Sequence, residues 1–298
     1  MIKANNLTKK FGENKALDSV TFEIPEGSIY GLVGSNGSGK STFMRLISGV
    51  YMADGGEILV DNQNPFDNSL IKSKICYLPD TPYFIHQSNL NEMMRYYKML
   101  YKDFDIDRFE QLLKIFPLDR RARISTMSKG MQRQAALILA ISTKPKYLLL
   151  DEAFDGLDPI MRKVLKSLLA EGVSDGMTAI IASHNLRDLD ELCDTVGILH
   201  NGKVLLNDDI ENLRGGIHKV QAVFNMVPDI SVFEGLDIVN IEKSGSVVQL
   251  VCRGDEQDIK NYIGKLLPQF LEIIPPSFEE IFMYELEVNG YDAKNIIE

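Results

Sequence analysis

The sequence is short of cysteine, of positive charge and of long apolar runs, and each shortage closes off a class of protein. Its three cysteines, Cys76, Cys193 and Cys252, stand far apart in 298 residues, with no C-x-x-C and no neighbouring histidine. That argues against a disulfide framework or a zinc site and fits reduced thiols in a cytosol. Lys and Arg number 32 against 42 Asp and Glu, a formal net charge of −10 and a sequence pI of about 5.0. With no basic stripe to release counterions, no nucleic acid is expected as a partner, and phosphate binding must be local. The longest apolar run, 135–141, falls far short of the about 20 residues that cross a bilayer, and the opening MIKANNLTKK has no apolar signal core. The chain is therefore expected to be soluble by itself. At 45% hydrophobic residues it can bury a core, and its length predicts about two domains.

One stretch organises the rest. Residues 29–42 read IYGLVGSNGSGKST, a short apolar strand running into Gly34, Ser35, Asn36, Gly37, Ser38, Gly39, Lys40, Ser41 and Thr42. This fits G-x-x-x-x-G-K-[ST] at every fixed position and is read as a P-loop. Glycine lets the backbone bend tightly and bring several N–H groups onto phosphate oxygens. The apolar helical pattern of 41–47 puts a helix N-terminus behind the anion. Lys40 is expected to reach the β- and γ-phosphates of ATP, and Ser41 to ligate Mg²⁺.

Upstream, 2–7 and 20–24 read as strands, and Gly55 with Gly56 turns into a strand at 57–60, giving a small antiparallel sheet beside the nucleotide. Phe11, on the loop after the first strand, either stacks on an adenine ring or anchors the loop. From 75 the sequence ICYLPD is a strand ended by Pro79, followed by helical periodicity at 91–101 and 107–115, which predicts a helical subdomain over about 82–142. The Met and Tyr cluster of 93–101 is either its core or a partner surface.

The segment 147–150 is a buried parallel strand that delivers Asp151 and Glu152 at its carboxyl end, where α/β folds place ligands. Strand alternation aims the two acids apart, so that Asp151 can hold Mg²⁺ through water while Glu152 addresses the attacking water. A final strand at 178–182 leads to His184, placed to donate to the γ-phosphate.

Taken together, these motifs resemble those of the ATP-binding subunits of ABC transporters, most closely bacterial drug and antibiotic-peptide export types, over about 2–213. The resemblance implies an α/β P-loop NTPase: a RecA-like parallel sheet, an N-terminal antiparallel β-subdomain and a helical subdomain. It makes Phe11 the adenine-stacking aromatic, Gly34 to Thr42 the Walker A loop, Asp151 and Glu152 the Walker B pair, and His184 the switch histidine. Met127, Ser128, Lys129, Gly130 and Met131 stand where the signature LSGGQ stands, and Gly156, Leu157 and Asp158 resemble the D-loop. The signature keeps its serine and second glycine, while Asp80 occupies the place of the Q-loop glutamine. Being unable to donate when ionised, Asp80 is expected to meet Mg²⁺ through water.

Domain 1–214 is thus expected to be the nucleotide-binding domain. Past Gly215 and Gly216, strands at 219–224, 238–243, 247–252 and 271–274 with a helix at 256–267 predict a small C-terminal α+β domain over 215–298, closed by a helix that Ser277 and Glu280 open with a capping box. By resemblance the chain is an ATPase with catalytic Glu152, His184 and Lys40. Ser128, Gly130 and Asp158 join the nucleotide, and metal falls to Ser41, Asp80 and Asp151. Implied partners are a separately encoded integral membrane permease and a second ABC subunit, identical or paralogous, paired head to tail. The implied location is the inner face of the cell membrane. Two other readings remain open: a soluble nucleotide-dependent regulator with weak hydrolysis, and a non-transport ABC ATPase.

Overall fold

The computed structural model describes residues 1–288. These divide into two compact units, Met1–Asn207 and the chain from Asp208 onward.

In the first unit, strands β1 (Ile2–Phe11) and β2 (Asn14–Ile24) pair antiparallel, and β4 (Gly55–Val60) joins the other edge of β1, giving the order β2-β1-β4. The main sheet takes β3 (Ile29–Val33), β5 (Ile75–Leu78), β6 (Tyr147–Asp151), β7 (Thr178–Ser183), β8 (Thr195–His200) and β9 (Lys203–Asp209) in the order β5-β6-β7-β3-β8-β9. The pairs from β5 through β8 are parallel. Every residue of β3, β6, β7 and β8 is buried, as strands covered on both faces require. β8 and β9 extend a sheet that the sequence alone closes at β7; their marker is the Asn201-Gly202 turn between two short strands.

Helices α1 (Lys40–Ile47) and α2 (Ser69–Lys72) flank this core, where Phe22, Phe43, Tyr30 and Tyr147 are fully buried. A second core belongs to α3 (Leu90–Leu100), α4 (Ile106–Ile115) and α5 (Lys129–Ser142), where Phe109, Phe116, Met93 and Ile138 meet. Asn89 and Glu92 cap α3 reciprocally, and Asp105 caps α4, so both helices start at side chains that satisfy orphan amides. Within the Met and Tyr cluster, Met93 is buried and Tyr97 packs on the core, while Tyr96 and Met99 are exposed. Helices α6 (Pro159–Ser174) and α7 (Leu186–Asp190) complete the unit.

The chain from Asp208 onward holds helix α8 (Ile210–Gly215) and strands β10 (Ile217–Val223), β11 (Asp237–Ser244), β12 (Val247–Arg253) and β13 (Phe270–Ile274) in antiparallel order β11-β12-β10-β13. Ile259 and Ile263 of α9 (Glu256–Gly264) enter one core with Val220, Leu250 and Phe233. Ile281 of α10 (Phe278–Val288) enters another with Ile217 and Val251. Ser277 and Glu280 form the expected box, with Glu280 N donating to Ser277 Oγ and Ser277 N to Glu280 Oε2.

A charge cluster ties β4 to the start of β6. Asp61 accepts from Lys74 Nζ at 2.7 Å, Lys146 Nζ at 2.9 Å and Tyr147 Oη at 2.6 Å. Burial pushes its carboxyl upward, but the hydrogen bonds from Lys74, Tyr147 and Lys146 outweigh that and hold it well below the usual range. A group depressed in the folded state contributes stability above its unfolded value, about 3.9, and loses it as pH falls through and below that point. Asp61→Asn is therefore expected to lower Tm at pH 7, with the difference from the parent shrinking by pH 3 in a thermal melt series. An unchanged difference would remove Asp61 from the linkage.

Candidate functional site

The parallel strands deliver the chemistry at their carboxyl ends. Register sets Leu78 beside Leu150, Asp151 beside Ala182 and Val33 beside Ser183, so Asp80, Asp151, Glu152, His184 and the P-loop emerge along one edge. A cavity of about 370 Å³ lies there, lined by Asn36, Gly37, Ser38, Gly39, Lys40, Ser41 and Thr42 together with Asp80 and Glu152. Asn14, Lys15, Ala16, Asn201 and Gly202 complete the wall; no nucleotide-binding motif in the sequence includes them.

The P-loop conformation demands glycine at two points. At Gly34 a Cβ would lie 2.2 Å from the Leu199 carbonyl, and at Gly39, with φ +112°, it would lie 2.6 Å from the Ala16 carbonyl. Gly39 is also the N-cap of α1 and offers no side-chain acceptor, so the first amides of the helix face the cavity uncapped by protein. Lys40 is 5% exposed and folds back, its Nζ donating to Gly34 O at 2.6 Å and Ser35 O at 3.2 Å, with Glu152 Oε1 at 3.6 Å. Burial draws its ammonium below the ordinary value, while Glu152 and Asp151 pull the other way.

Glu152 follows β6 in a left-handed conformation, φ +50°. Its Oε2 sits 3.0 Å from His184 Nδ1 and accepts from the His184 backbone N–H at 3.3 Å. Asp151, 1% exposed, accepts from Tyr77 Oη at 3.1 Å through Oδ2. Its Oδ1 and the buried Ser38 Oγ have no hydrogen-bond partner among the described residues. A buried carboxylate oxygen left open beside a helix N-terminus and a lysine fits a divalent cation and a phosphate chain.

Phe11, Ser128, Gly130 and Asp158 are not on this cavity wall. Phe11 is 46% exposed and sets its ring edge on Tyr51, with centroids 5.4 Å apart. Ser128 caps α5 through Met131 N at 3.3 Å and is exposed, and a Cβ on Gly130 would come 3.0 Å from the Gly156 carbonyl. Asp158 caps α6, accepting from Ile160 N and Met161 N, both at 2.9 Å. Asp80, by contrast, lines the cavity and accepts from Arg133 Nη2 at 3.0 Å. Sequence patterns do not mark Arg133: its partners lie 18, 19 and 53 residues away.

The ABC transporter family profile matches residues 17–155. A bacitracin transport ATP-binding protein, BcrA of Enterococcus faecalis, is 30% identical over 72% of this chain and 70% of its own. The chain belongs to the ABC transporter ATP-binding proteins. ABC transporter ATP-binding protein YtrB of Bacillus subtilis is 28% identical over 95% of this chain and 97% of its own, so the similarity runs through the C-terminal unit as well. A solved ATP-binding subunit of an ABC transporter superposes with TM-score 0.67 at 27% identity, over 72% of this chain and 92% of that one.

As a member of this ABC family the chain is an ATPase that binds ATP with Mg²⁺. When bound, Mg²⁺ would supply charge neutralisation and a fixed template for the phosphates. On the protein's side, Gly34 to Gly39 form the loop ahead of α1, Lys40 carries a buried positive charge there, and Asp151 keeps an oxygen open. No helix among the described residues is long and apolar enough to cross a membrane.

Proposed function

We propose that this chain powers an exporter whose membrane-spanning permease is a separate polypeptide, by closing head to tail on a second cassette with ATP between them. The observation that carries the reading is the placement of the signature. Ser128 is exposed at the N-terminus of a 14-residue helix, and no residue of 127–131 lines the cavity of its own P-loop. An exposed hydroxyl beside helix amides suits the phosphates of a partner's nucleotide. In this reading Ser128, Gly130 and Asp158 serve across the dimer, Phe11 meets the adenine, Ser41 and Asp151 serve the metal, and Glu152 is the general base with His184 beside the γ-phosphate. The E. faecalis relative's name concerns bacitracin transport; an antibiotic peptide is the proposed cargo class. The proposed location is the cytoplasmic face of the membrane, through the permease.

The test uses Glu152→Gln to stall turnover. With ATP this variant is expected to sediment as a dimer, and Lys40→Ala as a monomer. The stalled variant bearing Tyr83→Cys, at a position 82% exposed before α3, is expected to cross-link to an integral membrane protein. Two monomers with ATP, both with and without permease-containing membranes, would sink the sandwich.

A further inference from the structure

Arg133 lies one turn into α5, with 8% of its surface exposed. Its guanidinium spans the site: Nη1 donates to the carbonyl of Glu152 at 2.9 Å and reaches that of Asp151 at 3.4 Å, and Nη2 donates to Asp80 Oδ1 at 3.0 Å. The acceptors come from the ends of β5 and β6, and the donor from the helix that begins at the signature.

We propose that Arg133 is a positioning residue that clamps Glu152 for hydrolysis, with Asp80 as the counter-charge that orients the clamp. The inference rests on Glu152 being the base. Glu152 occupies the left-handed region at φ +50°, a conformation that costs a non-glycine residue energy and persists only when its surroundings hold it. Three hydrogen bonds do so: Glu152 N donates to Ala182 O at 2.9 Å, and Glu152 O accepts from Asp155 N at 3.2 Å and from Arg133 Nη1 at 2.9 Å. With the peptide groups on either side fixed, the carboxylate is aimed between Lys40 and His184.

A guanidinium buried this deeply needs charge compensation as well as acceptors. Asp80 provides it with a carboxylate 61% exposed, so the pair is formed without burying the acid. The planar fork matters because donors must leave in two directions at once; an ammonium on a flexible stem does not reproduce that geometry. Asp80 would then act on hydrolysis through Arg133, and a proline-delivered acid at the cavity wall would join the end of β5 to the base. Arg133 itself is not on the cavity wall, so its effect is expected on turnover and not on nucleotide binding.

Steady-state hydrolysis and fluorescent-nucleotide titration of Arg133→Lys, Arg133→Gln, Asp80→Asn and the Asp80→Asn/Arg133→Lys pair test this. Arg133→Lys is expected to lower kcat by about tenfold to a hundredfold, the scale set by slight misplacement of a reacting group, with KM and nucleotide affinity within about twofold. Asp80→Asn keeps an acceptor and loses the charge, so its fall in kcat is smaller. The double variant is no worse than Arg133→Lys, because both changes act on one contact. In the Glu152→Gln background Arg133→Lys changes the residual rate no further. If lysine melts the protein, Arg133→Gln, which keeps one amide donor, is read in its place. Full turnover in the folded arginine variants, or losses that multiply in the double variant, overturns the clamp. An Asp80→Asn effect confined to the Mg²⁺ concentration for half-maximal rate returns Asp80 to the metal and overturns its part. Parental turnover in Glu152→Gln alone rejects the base instead, a result visible without any arginine variant.

Discussion

Glu152→Gln is expected to lower ATP hydrolysis by at least about 10²-fold while nucleotide binding is retained, since a positioned general base contributes about 10² to 10⁴ in rate. The carboxylate is held in place, as the proposed role of base requires. Its Oε2 is fixed by the His184 backbone and ring at 3.3 and 3.0 Å, and its Oε1 faces Lys40 at 3.6 Å. Glutamine keeps the length and one oxygen and loses the basicity. Removing an anion from a phosphate site also removes a like-charge repulsion, so affinity should hold or tighten. Phosphate release in steady state, set beside fluorescent-nucleotide titration, separates the two effects. Turnover equal to the parent would move the base to His184, the next group with a nitrogen on the site.

What was legible in the sequence follows from how local each feature is. The P-loop needs glycines, a lysine and a hydroxyl within a single short stretch, and its strand and helix adjoin it, so spacing alone carries it. The Walker B pair is nearly as local, because a run of buried aliphatics ending in two acids admits few other readings. The arrangement of Arg133 against Asp80 is the opposite case: 53 residues separate them, and in the sequence Arg133 is simply a charged residue on a helix that otherwise reads as core. Nothing in periodicity says that β5 and α5 converge on β6. β8 escaped for a different reason: it is a buried strand of six residues followed by Asn-Gly, and such a strand shows neither alternation nor length. For Phe11, sequence chemistry offered stacking or anchoring, and the ring edge on Tyr51 joins two segments far apart in the chain, which no local pattern records.

Lys40→Met carries the second large expected effect, on binding. Methionine replaces the stem of similar length and removes only the charge and its donors. In the folded protein the Lys40 ammonium is held by the Gly34 and Ser35 carbonyls with Glu152 nearby, a set of contacts that keeps a buried cation in place until phosphate offers a better partner. Against a phosphate at about 4 Å and an effective dielectric of about 20, one unit charge contributes about 4 kcal/mol, or about 10³ in affinity. ATP affinity by titration should therefore fall by roughly that factor. Folding should suffer much less. Glu152 keeps His184 as a partner, and the charge taken away is one that burial disfavours, so its loss leaves no large deficit in the core. A melting temperature close to the parent together with a thousandfold weaker nucleotide, the factor of about 10³ above, would place the role of Lys40 in the ligand and not in the core. Affinity within about tenfold of the parent would mean that the helix amides and the metal carry the phosphates alone.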